Sequence, residues 1–126
     1  MPIKVNPVGY FEIPVTDLDR AVKFYESVFG FKMELGIIDK IEMAFFPFKD
    51  SGSGITGALA KGEIYKPSKE GALVYFNTDS IDEVLKAVNT NGGKILYPKA
   101  SVGEYGFVAE FEDSEGNRIA LTEKLK

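Results

Sequence analysis

The sequence predicts an α+β fold in which two βαβββ modules form a curled, cup-shaped mixed sheet with helices on its outer face. The main observation is an internal repeat, because a shift of 63 residues, half of the 126, places the second half of the chain on the first. Leu18-Asp19 then falls on Ile81-Asp82, and Gly30 falls on Gly93. Each half opens with an apolar run, passes through a Thr-Asp pair into a helical pattern that ends at glycine, and closes with shorter apolar runs. A duplicated unit of this kind predicts paired modules.

The first module begins with a strand at residues 8–15, which is followed by a helix. Strand alternation divides the side chains of this run between two faces, with Phe11, Ile13 and Val15 on one and Tyr10, Glu12 and Pro14 on the other. Asp17 is the predicted N-cap. Apolar residues then recur at helical spacing from position 18 to position 29, and Gly30 ends the helix.

The second module repeats this plan from residue 71. Residues 71–76 are the predicted strand, Ser80 and Glu83 form a capping box, and Gly92-Gly93 ends the helix. Short extended runs follow both helices, at about 31–38, 41–48, 55–61, 94–97, 106–112 and 118–123. We therefore expect one domain over 1–126, with a first module of about 1–62, a linker of 63–70 and a second module of about 71–126.

Composition excludes several classes of function. The net charge of −4 and the pI near 4.9 argue against a nucleic-acid partner, which needs a clustered basic surface. No apolar stretch is long enough to cross a membrane, and residues 1–30 lack a signal-peptide pattern. The chain has no cysteine, which removes disulfides and thiolate chemistry. We expect a cytoplasmic protein with no membrane partner.

Two segments resemble a known superfamily. Residues 13–30, which read Ile-Pro-Val-Thr-Asp-Leu-Asp-Arg-Ala-Val-Lys-Phe-Tyr-Glu-Ser-Val-Phe-Gly, resemble the opening signature of the vicinal oxygen chelate superfamily. That superfamily includes glyoxalase I, bleomycin-resistance proteins and extradiol dioxygenases. Residues 111–121, from Phe111 to Leu121, resemble its closing strand pair. Tyr97-Pro-Lys99 and the run from Gly103 to Phe107 most resemble a subgroup of uncharacterised relatives of lactoylglutathione lyase.

In metal-using relatives, the resemblance implies that one side chain from each of four strands binds a divalent ion. The register of the signatures carries these positions to Tyr10, to Gly57 or Leu59, to Ala72 and to Ala120. None of these residues is a usual ligand, and the chain has no histidine. The sequence therefore predicts no metal site and no cofactor.

The remaining chemical candidates are two carboxylates. Strand alternation places Glu12 and Glu110 on the cup face, where they could act as acid and base or hold a hydrated Mg²⁺. The alternative is that they lie at the wet mouth of the cup or form an ion pair with Arg118. We predict that ligand contacts come from these charged residues and from neighbouring aromatic or small ones: Tyr10, Glu12, Ala72, Val74, Phe76, Tyr105, Glu110, Arg118 and Ala120.

Residues 52–57 read Gly-Ser-Gly-Ile-Thr-Gly, which literally matches the GxGxxG pattern of dinucleotide sites. Such a site needs a helix directly after the glycines, so that the helix N-terminus faces the pyrophosphate. The run that follows is too short for this helix. We therefore interpret the segment as a flexible loop that leads into a strand.

The preferred hypothesis is a metal-independent protein that binds a small planar or partly apolar molecule in the cup, comparable in role to bleomycin-sequestering proteins. One alternative is a lyase or isomerase that uses the cup carboxylates, possibly with Mg²⁺. The other is a non-catalytic structural or regulatory module whose cup is closed. We also expect a homodimer, because the strands at 8–15 and 71–76 must cover their edges and Pro14 weakens pairing.

Overall fold

The structure is a computed structural model that describes residues 6–50 and 54–126. The elements follow in the order β1 (Phe11–Val15), α1 (Leu18–Phe29), β2 (Glu34–Ile38), β3 (Ile41–Phe45), β4 (Gly57–Lys61), β5 (Tyr75–Asn77), α2 (Ile81–Thr90), β6 (Lys94–Ser101), β7 (Phe107–Glu112) and β8 (Arg118–Glu123). A short 3₁₀ turn, Gly103–Tyr105, joins β6 and β7. The predicted βαβββ repeat is confirmed. In the described ranges, neither helix is long and apolar enough to cross a membrane.

The strands form two four-stranded sheets of the same topology. The orders are β1-β4-β3-β2 and β5-β8-β7-β6, and in each sheet the first pair is parallel while the others are antiparallel. The α+β class is therefore confirmed, with the strands divided between two mixed sheets. β1 and β5 are edge strands of their sheets. The two strands are in contact through the rings of Phe11 and Phe76, whose centroids are 5.9 Å apart.

Both helices begin at the predicted caps. The carboxylate of Asp17 accepts a hydrogen bond from the Arg20 N–H at 3.0 Å, and the hydroxyl of Ser80 accepts one from the Glu83 N–H at 3.2 Å. These bonds satisfy amides that lack a partner in the first turn of a helix. Gly30 ends α1 at φ 78°, in the left-handed region that glycine adopts without steric cost.

One hydrophobic core serves both modules. It contains inward-facing residues of both sheets together with the apolar stripes of both helices, which places the helices on the same side of the sheets. Tyr25 of α1 lies at its centre, fully buried, and its ring contacts Phe46 from the first module and Phe76 from the second. The face of each sheet that points away from this core is called the cup face below.

Residues 52 and 53 of the glycine-rich segment lie outside the described ranges. Gly57 opens β4, so a strand follows this segment, as the sequence predicts. A Cβ on Gly57 would stand 2.1 Å from the carbonyl oxygen of Phe11, which explains why the residue paired with Phe11 must be glycine.

The loop between β7 and β8 is fastened to the start of α1 by one carboxylate. Glu115 accepts hydrogen bonds from the backbone N–H groups of Thr16 and Asp17, both at 2.9 Å, and from Arg20 Nε at 2.7 Å. Burial acts to raise the pKa of Glu115, but the bonds from Arg20, Asp17 and Thr16 outweigh it and hold the pKa at about 2. The negative charge also lies at the positive end of α1.

We expect Glu115→Gln to unfold more easily than the wild type at pH 7, by about 1–3 kcal/mol, because it loses the charge-assisted bonds from Arg20 and from the Thr16 and Asp17 amides. The folded pKa is below the usual 4.5, so this contribution is complete above pH 4.5 and disappears as the pH falls towards about 2. Urea unfolding of both proteins between pH 7 and pH 2 measures the difference.

The exposed Glu63 provides the matched control, and Glu63→Gln should follow the wild type at every pH. A stability difference between wild type and Glu115→Gln that stays constant from pH 7 to pH 2 would contradict this account of the hairpin.

Candidate functional site

A row of four side chains crosses the cup face of the second sheet. The register pairs Tyr75 with Ala120, Ala120 with Glu110, and Glu110 with Tyr97, so that all four point to the same side. Their strand neighbours Phe111 and Leu121 lie in the core on the other side. The two tyrosines are half exposed, at 50% and 49%, and lie on the two edge strands. Three strand spacings separate their backbones, roughly 14 Å.

An ion pair lies between these tyrosines. Arg118 donates from Nε and from a terminal nitrogen to the two carboxylate oxygens of Glu110, at 2.7 and 3.0 Å. This fork geometry is the strong form of an arginine–carboxylate contact. The bonds that Arg118 donates to Glu110 raise the pKa of Arg118, so the guanidinium remains charged. The sequence-based alternative of an ion pair between a cup carboxylate and Arg118 is therefore confirmed for Glu110.

The cup face of the first sheet carries a different arrangement around Glu12. The hydroxyl of Tyr10 donates to one carboxylate oxygen at 3.1 Å, and the hydroxyl of Tyr65 donates to the other at 2.8 Å. Burial and the neighbouring Glu12 raise the pKa of Tyr10 to about 12, and the bond to Glu12 raises the pKa of Tyr65. Both phenols therefore stay protonated and act as donors at neutral pH. Glu12 lies on the predicted face, beside Tyr10.

Tyr65 comes from the segment between the modules and covers the first half of the cup. Its ring packs against the small residues Ala58 and Ala60 and against Met43, all on the cup face of the first sheet. A turn closed by the bond from Tyr65 N–H to the Gly62 carbonyl brings the ring back over β3 and β4. No local pattern predicts this contact, because Tyr65 belongs to no periodic run and binds a residue 53 positions away.

The structure corrects the prediction for β5. Phe76 faces the core, where it contacts Phe11 and Tyr25, and does not line the cup. Ala72 and Val74 precede the strand, which begins at Tyr75. The error is a slip of one residue: the predicted run 71–76 is apolar at both parities, so alternation could not decide which residues face the cup. Tyr75 takes the place that Phe76 had in the prediction.

The candidate positions on β4 need a similar correction. Leu59 is buried in the core between sheet and helix, and Gly57 lies on the same side. The residues of β4 that face the cup are Ala58 and Ala60. Tyr105, a predicted ligand contact, lies in the 3₁₀ turn between β6 and β7 and is 76% exposed.

Few cup-facing side chains could bind a metal ion. Tyr10, which precedes β1, and Ala58, Tyr75 and Ala120 on β4, β5 and β8 carry no imidazole, thiolate or carboxylate, whereas Glu12 on β1 and Glu110 on β7 are carboxylates. No group of three or more His, Cys, Asp or Glu side chains arranged to hold a metal occurs in the part of the chain that the structure describes. Of the two cup carboxylates, Glu12 accepts hydrogen bonds from Tyr10 and Tyr65, and Glu110 accepts them from Arg118.

A family model described as Glyoxalase/Bleomycin resistance protein/Dioxygenase superfamily matches residues 7–121, so the chain belongs to this superfamily. Among curated proteins, a glyoxylase-like domain-containing protein of Didymella fabae is 36% identical over 118 residues, which cover 90% of this chain and 91% of that protein. The anthracycline biosynthesis protein DnrV of Streptomyces peucetius is 26% identical over 129 residues, covering 92% of this chain and 46% of that protein.

Solved structures agree on the fold. TnmS3, an antibiotic binding protein from Streptomyces sp. CB03234, superposes with a TM-score of 0.68 at 22% identity, covering 98% of this chain and all of that one. A glyoxalase I mutant from Zea mays gives a TM-score of 0.68 at 22% identity and covers 93% of this chain. The chain spans 46% of the maize protein and 46% of DnrV, so it corresponds to about half the length of each of these relatives.

We expect the purified protein to hold no stoichiometric transition metal, because the cup offers no ligand set. Elemental analysis after purification without chelators measures this directly. A content near one Ni, Zn, Fe or Mn per chain, with the coordination geometry of such an ion, would contradict the prediction.

Proposed function

We propose that this protein is a metal-independent binding protein for a small planar or partly apolar molecule, held on the cup face of the second module. The observation that carries the proposal is the row of Tyr75, Ala120, Glu110 and Tyr97, in which two half-exposed aromatic rings stand on either side of a small residue and a carboxylate. Exposed tyrosines at the edges of a concave surface offer flat contact area at low conformational cost.

The charges on this face favour a ligand of low net charge. Glu110 and Arg118 neutralise each other, so the floor between the tyrosines is polar without attracting an ion of either sign. A flat molecule would stack on the rings and direct a hydrogen-bonding group to this pair. Mostly apolar contact with a few placed polar groups is the usual composition of small-molecule sites.

The comparisons are consistent with a binding role. TnmS3, whose name describes antibiotic binding, shares the fold along its whole length, and DnrV is named for anthracycline biosynthesis. Cytoplasmic location remains a prediction from the sequence.

The enzymatic alternative has less support. A base at Glu12 would have to leave two phenol donors, and a base at Glu110 would have to leave a two-point bond with Arg118. Tyr65 covers the first half of the cup, and we therefore place the proposed site on the second module, where Tyr75 and Tyr97 are half exposed.

We expect Tyr97→Ala to weaken binding of a planar polycyclic ligand by about fivefold or more, because one stacking surface is lost. An anthracycline is a suitable probe, and its fluorescence gives the dissociation constant. The melting temperature should change little, since half of the ring is already exposed.

Tyr105→Ala is the matched control, because Tyr105 is an exposed tyrosine outside the row. Wild-type protein that does not bind planar probes, or a Tyr97→Ala variant that binds like the wild type, would contradict the proposed site.

We also propose a homodimer, with β2 as the contact strand in place of β1 and β5, whose edges lie close together within one chain. β2 is an edge strand in which Leu35, Ile37 and Ile38 are exposed, and it contains no proline or lysine to discourage pairing. A second copy related by a two-fold axis would pair antiparallel with it and cover these side chains.

Light scattering should give twice the chain mass of 13.9 kDa, and Ile37→Lys should shift the protein towards the monomer. A mass of 13.9 kDa for wild-type protein across micromolar concentrations would contradict the dimer. A dimer that persists in Ile37→Lys would assign the contact to another surface.

A further inference from the structure

An apolar cavity of about 470 Å³ lies outside the proposed cup site, where the start of β1 meets β5. Its walls include the rings of Phe11, Phe31, Phe46 and Phe76, and its rim includes Val8, Ile55 and Tyr75. Among the residues that the structure describes, none that lines the cavity is charged. Its volume is within the range of small-molecule sites, roughly 300–1,000 Å³.

The walls of this cavity are held in place by the core. The rings of Phe11, Phe46 and Phe76 contact one another with centroids 5.4–5.9 Å apart, and Phe31 contacts Phe46 at 5.7 Å. Phe46 is buried and also packs on Tyr25. The cavity therefore offers a preformed aromatic surface, which costs little conformational entropy when a ligand binds.

Two polar side chains lie on the lining, and they differ in availability. The Thr56 hydroxyl donates to the Pro47 carbonyl at 2.9 Å. The Asn77 amide makes no hydrogen bond to any other residue that the structure describes. Its nitrogen lies beside Gly54, because a Cβ added to that glycine would be 3.6 Å from it. Asn77 thus presents an NH₂ group with two donor hydrogens and a carbonyl acceptor at the rim.

We propose that this cavity is a second binding site, separate from the cup, for an uncharged flat aromatic molecule with one hydrogen-bonding group. The aromatic walls bind the ring system, and Asn77 binds the polar group. A charged ligand is disfavoured because it would lose its hydration without meeting an opposite charge. Tyr75 belongs to both the cup row and the cavity lining, whereas Tyr97, Glu110 and Ala120 belong to the cup row alone. Variants at residues that are not shared therefore test the two sites separately.

The test is a fluorescence titration with N-phenyl-1-naphthylamine, an uncharged probe that has one N–H group. We expect one probe per chain in the cavity, in addition to any probe that stacks on the tyrosines of the cup. Ile55→Asp should raise the dissociation constant by about fivefold or more, because it removes an apolar rim contact and adds an unpaired charge. Asn77→Ala should raise it about threefold through loss of a hydrogen bond.

Ile64→Asp is the matched control, since Ile64 is exposed and does not line the cavity. Tyr97→Ala, which alters only the cup, should leave the affinity of the cavity for the probe unchanged. The sulfonated analogue 8-anilinonaphthalene-1-sulfonate should bind about tenfold more weakly than the neutral probe.

The proposal is overturned if the wild type does not bind the neutral probe, if Ile64→Asp weakens binding as much as Ile55→Asp, or if the sulfonated probe binds as tightly. Loss of probe binding in Tyr97→Ala would assign the probe to the cup and not to the cavity. Circular dichroism and thermal melting of each variant confirm that the fold is intact.

Discussion

The buried bond between Tyr25 and Asp113 is the interaction on which the relation of the two modules depends. Tyr25 belongs to α1 and Asp113 to the loop after β7, and their oxygens are 2.6 Å apart inside the core. Burial, followed by the charge of Asp113, raises the pKa of Tyr25 well above 10, so its hydroxyl remains a donor. Asp113 also accepts from Asn117, whose amide donates to the Pro14 carbonyl of β1. This chain of bonds joins both sheets and thereby sets how their cup faces lie relative to each other.

The shared core explains why the two modules are alike on one face and different on the other. Side chains that face the helices must fill one common interior at high packing density, so both copies keep large apolar residues there. No such constraint acts on the cup face. In the first module this face carries Ala58 and Ala60 under the ring of Tyr65, whereas the second carries Ala120 between exposed tyrosines. The alanines are fully buried on both faces, so the two faces differ in the rings above them: Tyr65 on the first, and the half-exposed Tyr75 and Tyr97 on the second.

The parts of the structure that the sequence predicted well are those with a local physical signal. The caps at Asp17 and Ser80 and the faces of β1 follow from side-chain chemistry and from alternation between apolar and polar residues. β5 was placed one residue out of register because its run has no polar residue at alternate positions. The contact of Tyr65 with Glu12 was missed because it joins a segment without periodicity to a distant strand. Core positions are predictable from pattern, while side chains that cover a surface are placed by tertiary contacts alone.

The boundary between the two sheets also explains why the polar cup row of the second sheet and the apolar aromatic cavity lie close together. β1 and β5 are both short edge strands, and Pro14 cannot donate a hydrogen bond across the boundary. The sheets are instead held by the aromatic contacts beneath them and by the bonds of Asn117, which leaves space at the end where β1 starts. Tyr75 stands at this end, with an ion pair on its cup side and, among the residues that the structure describes, uncharged side chains around the cavity on its other side. A ligand that contacts this one residue would therefore meet a hydrogen-bonding floor from the cup side and an apolar aromatic wall from the cavity side.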